Sequence, residues 1–143
     1  MVHALEKIWR CLNPGGMLID IHPTSEPAAI VVRVDQRDSA AGWITESDDY
    51  EEYEWADTAL VHTISRGLFS VEQQGTFEFV WHADNLAELR DCLKAEWRDA
   101  IIDDVTAMHI EDLLKSLARE KEVIVRAKIN IALFRKLENS GFV

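Results

Sequence analysis

The segment from Glu122 to Arg135 leaves the chain the fewest choices. Val123, Val125, Ala127, Ile129, Ile131 and Leu133 share one parity. A two-residue period puts them on one face of an extended strand. A long C-terminal strand with one strongly apolar face is therefore expected, and with it a fold that contains a sheet.

The segments before it alternate between helical and extended patterns. Leu5, Ile8, Trp9 and Leu12 form one helical face, and Asn13-Pro14-Gly15-Gly16 stops that helix. Met17 to Ile21 is a short apolar run broken only by Asp20, which predicts a buried strand in a parallel sheet. His22 to Pro27 predicts a loop. Ala29–Val34 is a second β-branched run, expected to pair with Trp43-Ile44-Thr45 in a small hairpin across an Asp38–Gly42 turn. From Asp48 the spacing turns helical, with Tyr53, Ala56, Leu60 and Ile64 in register and Gly67 closing the segment. Leu68 to His82 alternates as a strand, with Gln74-Gly75 marking a tight turn or a bulge. Asn85 is placed to cap the next helix, with Glu88 returning a capping bond and Leu86, Leu89, Leu93 and Trp97 forming its apolar stripe. A further helix is expected from Thr106 to Glu120, with Ile110, Leu113, Leu114 and Leu117 turned inward. The result is a single α/β domain over residues 1–143, without repeats or linkers.

Charge narrows the partners. The net charge is -11, so phosphate backbones and anionic membrane surfaces repel the chain. Nucleic acid and membrane are not expected as partners; a small molecule or another protein is. No apolar run approaches the roughly 18 residues that span a bilayer. Met1 is not followed by a basic region and an apolar core, so no signal peptide is expected and the location is expected to be cytoplasmic. Cys11 and Cys92 are expected to be reduced thiols, buried or half-buried in helices.

The stretch from Leu5 to Asp20 carries a family resemblance. Arg10, Leu12, Pro14, Gly15 and Gly16 match an Arg-x-Leu-x-Pro-Gly-Gly pattern in which a helix feeds a strand. Gly67-Leu68-Phe69, the helix over Asn85 to Trp97 and the strand ending at Arg135-Lys136 continue it in order. Together they resemble the C-terminal half of a class I S-adenosylmethionine-dependent methyltransferase. The resemblance implies a partial Rossmann-like sheet, holding the family's fifth, seventh and sixth strands in that spatial order. The seventh would be antiparallel to both neighbours, and the extra hairpin and flanking helices would complete the fold. It also implies a lid helix over an acceptor substrate.

The family holds its cofactor with a glycine-rich loop upstream of the matching segment. The six glycines here, Gly15, Gly16, Gly42, Gly67, Gly75 and Gly141, form no Gly-x-Gly-x-Gly. Only glycine lets a backbone approach a nucleoside closely enough. The chain alone is therefore not expected to bind S-adenosylmethionine, unless a partner supplies that half. Met1 is either a natural start or an internal boundary of a longer enzyme. With no fourth strand beside it, Met17–Ile21 would be an exposed apolar edge, so a homodimer or a partner chain carrying the N-terminal lobe is expected. The alternative is a non-catalytic small-molecule-binding or dimerisation module.

The candidate substrate-pocket residues are His22, Trp81, His82 and Trp97. His22 follows the first strand, at the carboxyl end where open α/β sheets bind ligands. Trp81 and His82 end a strand and Trp97 ends the lid-like helix, where aromatics line apolar pockets or simply pack in the core. The acids Glu46, Asp48, Asp49, Glu51, Glu52, Glu54 and Asp57 are expected to be a solvated helix start. Arg90 and Arg98 are expected to pair with neighbouring surface acids. The histidines have no metal-ligand spacing, and neither cysteine has an implied base, so no metal site and no nucleophile is expected.

Overall fold

The long C-terminal strand, β6 (Lys121–Lys136), organises the molecule. The computed structural model describes residues 1–47 and 50–138. In chain order the other elements are α1 (Val2–Cys11), β1 (Met17–Pro23), β2 (Ala28–Val34), β3 (Arg37–Glu46), α2 (Glu51–Ser65), β4 (Phe69–Ala83), α3 (Leu86–Glu96), β5 (Ala100–Ile101) and α4 (Asp104–Leu114). The chain is α/β, and the described residues form six strands in antiparallel pairings and four helices. It divides into two compact units. The first holds Met1–Ser25, Glu51–Phe77 and the described part of Ile129–Val143. The second holds the described parts of Glu26–Tyr50 together with Glu78–Lys128.

In the first unit β1 pairs antiparallel with the second half of β6, from Met17↔Arg135 to Pro23↔Ile129. β4 also pairs with β6. It too runs antiparallel: the Leu137 amide donates to the Leu68 carbonyl, and Arg135 reaches Glu72. The order is therefore β1-β6-β4. The expected parallel, buried setting for Met17–Ile21 is not found. β1 is antiparallel, and Ile19 and Ile21 are 62% and 58% exposed. α1 packs on α2. Leu5, Ala59, Leu60, Leu68, Phe69 and Phe134 form the core of this unit, with Leu18 and Ala132 against it. α1 ends where Pro14 follows and Gly15 turns at φ +69°. Gln74-Gly75 is not a tight turn, because β4 continues through it.

In the second unit β2 pairs with the first half of β6, β3 with β2, and β5 with β3. The hairpin is larger than expected, and its turn lies at Asp35-Gln36 rather than at Asp38–Gly42. Both turn residues have positive φ, 46° and 67°. That is the left-handed pair a tight two-residue hairpin needs, supplied here without the usual glycine. Gly42 instead sits in a bulge inside β3, where the register slips between Ile30↔Gly42 and Val31↔Ala40. A side chain there would collide with Thr106 of α4, since an added Cβ would lie 2.4 Å from its Oγ1.

α3 is capped as its sequence predicts. Asn85 accepts from the Glu88 amide at 3.0 Å, while the Glu88 carboxylate accepts from the Asp84 amide at 2.7 Å. Leu86, Leu89 and Leu93 are buried beneath it. α4 is shorter than expected. Lys121 Nζ donates to the carbonyls of Leu114 and Ser116, closing the helix end, and Leu117 stands fully in solvent. The apolar parity of β6 does not face one core throughout. Val123, Val125 and Ala127 are buried in the second unit, whereas in the first unit Phe134 is buried and Ile131 is exposed. Cys11 and Cys92 are both exposed, contrary to expectation, because each lies beside the apolar stripe of its helix and not within it.

Candidate functional site

In the first unit the inward face of β1 changes character along its length. Leu18, Asp20 and His22 project to the same side because side chains alternate. Their cross-strand partners are Phe134, Ala132 and Asn130. Apolar packing at the Leu18–Phe134 end thus gives way to polar groups at the His22–Asn130 end. Beside that end lies a cavity of about 440 Å³, walled by Leu60, Val61 and Ile64 of α2 and by Val71, Gln74, Gly75 and Thr76 of β4. Gly75 has open space where a side chain would stand.

His22 is the polar focus of this cavity. Its Nδ1 lies 2.6 Å from Asp20 Oδ2, and its Nε2 lies 3.0 Å from Asp57 Oδ1. The imidazole is 13% exposed, the Asp20 side chain 25% and the Asp57 side chain 56%. Both contacts are hydrogen bonds at once only when both ring nitrogens carry hydrogen or one carboxyl is protonated. Asp20 sits on the same strand and holds the ring's orientation. Asp57, reaching in from α2, is exposed enough for a bound polar group to replace it at Nε2. The arrangement can therefore grip a hydroxyl or amine and exchange a proton with it.

The other three candidates lie in the second unit. The Trp81 and Trp97 rings meet at 5.7 Å between centroids with a 30° tilt, and Phe79 stands edge-on to Trp81 at 4.5 Å. Trp97 Nε1 donates to the nearly buried Glu46 carboxylate at 2.6 Å. His82, next to Trp81, projects to the opposite face of β4 and joins an ion network. Its Nδ1 lies 2.8 Å from Glu122, which also accepts from Arg33. Arg33 in turn forks onto Asp38, which accepts from Arg126 as well. His82 first, and then Arg33, hold the Glu122 carboxyl below its usual range. Arg33 does the same for Asp38.

Asp57 and Asp20 carry the site, yet only His22 stands out in the sequence. An Asp-x-His on one strand is a legible signal for the first pair. Nothing in the sequence joins Asp57 to a residue 35 positions away. The acidic segment divides accordingly. Glu51, Glu52 and Glu54 are exposed in the first turn of α2, as the helix dipole favours. Glu46 and Asp57 have specific partners, and Asp48 and Asp49 lie outside the described residues. Among the described residues no group of three or more His, Cys, Asp or Glu is arranged to hold a metal ion. No helix among them is long and apolar enough to cross a membrane.

Comparison with family models, with curated proteins and with solved structures yields no match.

Proposed function

We propose that the first unit binds a small, partly apolar molecule bearing a hydroxyl or amine, and that the chain is a methyltransferase-like acceptor-substrate lobe. The observation that carries this reading is the Asp20–His22–Asp57 cluster at the polar end of the cavity. The β1-β6-β4 order and the Pro14-Gly15-Gly16 turn support the partial Rossmann-like, methyltransferase-like reading.

The residues present do not fit S-adenosylmethionine. Gly15 and Gly67 follow the ends of helices α1 and α2. Gly16 is pressed against the Asn13 carbonyl, Gly42 packs on Thr106, and Gly75 lies within β4. None forms a loop leading from a strand into a helix N-terminus. Methyl transfer by this lobe therefore requires such a loop from outside these residues. Calorimetric titration with S-adenosylmethionine is expected to give no binding heat. Small apolar amines and phenols are expected to raise the melting temperature, and His22→Ala is expected to abolish that rise. Micromolar binding of the cofactor, or a rise that survives His22→Ala, contradicts the reading.

A second reading, a dimerisation module, is favoured by the outer face of β1. Ile19 and Ile21 pair across to Leu133 and Ile131 and form an apolar row beside an edge that no described strand covers. A second copy pairing along β1 would cover it. Light scattering at micromolar concentration is expected to give a dimer that Ile21→Lys dissociates. A monomer before the substitution overturns this reading.

A further inference from the structure

The second unit holds a cavity that none of the preceding chemistry uses. Arg90, Leu93, Lys94 and Trp97 follow one another at i, i+3, i+4 and i+7 along α3 and into its cap, so they share one face. With Arg98 and Ile101 they line a cavity of about 290 Å³. Leu93 is buried and Trp97 half-buried, while Arg90, Lys94 and Arg98 are exposed.

These three cations are not neutralised as their sequence neighbours suggest. Among the described residues none of them makes an ion pair or a side-chain hydrogen bond. Three of the nearby acids are engaged elsewhere. Glu88 accepts from the Asp84 amide, Glu46 from Trp97 and Asp99 from Ser47. Asp91 and Glu96 do not line the cavity, and neither does any other carboxylate among the described residues.

A chain of net charge -11 has thus gathered three positive charges around an apolar floor. Like charges at i and i+4, as in Arg90 and Lys94, disfavour the helix unless an anion lies between them. Lys94 also complements the carbonyl end of α3. That dipole amounts to only about half a charge, so the three side chains dominate the local field.

We propose that this cavity binds a small organic oxyanion, a carboxylate or a phosphate ester, whose apolar body lies against Trp97, Leu93 and Ile101. Guanidinium forks from Arg90 and Arg98 suit either head group in bidentate geometry. Lys94 adds a point charge. The volume suits a compact ligand of about one ring.

The test is an NMR titration of the full chain, following the Trp97 indole N–H, which Trp97→Phe assigns. Benzoate and phenyl phosphate are expected to shift it, each binding at least about tenfold more tightly than neutral benzyl alcohol and more weakly as salt rises. Inorganic phosphate alone is expected to bind more weakly than phenyl phosphate. Arg90→Gln with Arg98→Gln is expected to lose tenfold or more, and His22→Ala to change nothing. Should the double variant lose its dispersed indole signals, Lys94→Gln gives the same comparison. The proposal is overturned by benzyl alcohol binding as well as benzoate, by inorganic phosphate matching phenyl phosphate, by unchanged affinity in the folded variants, or by no shift at about 10 mM of either anion.

Discussion

His22 Nδ1 sits 2.6 Å from Asp20 Oδ2, two residues back along the same face of β1, and this pair fixes which ring nitrogen is left for Asp57. The two carboxylates are not equivalent, because Asp20 is 25% exposed and Asp57 56%. Asp20→Asn is expected to cost about 1–2 kcal/mol in urea unfolding, since it weakens a charge-assisted bond to a mostly covered ring. Asp57→Asn is expected to cost about 0.5 kcal/mol or less, as solvent screens its pair. The reverse order would show that Asp57, not Asp20, anchors the ring.

Gly42 tests the close approach of α4 to β3. Gly42→Ala places a methyl 2.4 Å from Thr106 Oγ1, so helix or strand must move. A loss of about 2–3 kcal/mol is expected. In a Thr106→Ala background the same substitution is expected to cost at least about 1 kcal/mol less. Equal costs in both backgrounds, measured by a double-mutant cycle, would place the strain elsewhere.

Phe134 and Phe69 meet edge to face in the first unit, 6.4 Å between centroids and 65° between planes, and both are almost fully buried. Phe134→Ala is expected to destabilise by about 3–5 kcal/mol. The double variant with Phe69→Ala is expected to lose less than the sum, because the first truncation already opens the shared space. Chemical denaturation of the three variants checks both statements.

The ion network in the second unit gives a signed pH dependence. His82 and then Arg33 depress the Glu122 carboxyl, so its pairing stabilises the fold above the ordinary carboxylate range. That contribution disappears as pH falls through the depressed value, where the carboxylate takes up a proton. Asp38, depressed by Arg33, acts in the same direction. Glu122→Gln is expected to flatten the acid limb of the melting-temperature profile between pH 5 and the depressed titration, by about 2–3 °C for a pair of this exposure. An unchanged acid limb would show that the pair contributes nothing.

Much of the local structure was legible because it depends on nearest neighbours. The cap Asn85 with Glu88, the stop at Pro14-Gly15 and the stripe Leu86, Leu89 and Leu93 all arise within one or two helical turns. The hairpin turn is not legible because Asp35-Gln36 lacks a glycine, while Gly42, the glycine nearby, answers to a helix distant in sequence. The buried setting expected for Met17–Ile21 failed for a related reason: an apolar run shows what a strand prefers to touch, not which face a helix covers.

Taken alone, the order of residues determined that this chain is α/β, that β6 is long, and that Trp97 stands at the end of a helix. Those properties follow from periodicity, capping and turn chemistry. His22, expected in a loop, lies within β1 instead. Tertiary structure decided how β6 is buried in each half, that Asp57 meets His22, and that Arg90, Lys94 and Arg98 surround a cavity with no carboxylate among the described residues. Each of these depends on which strand lies beside which and in what register, and that is set by packing across the whole chain rather than by any one segment.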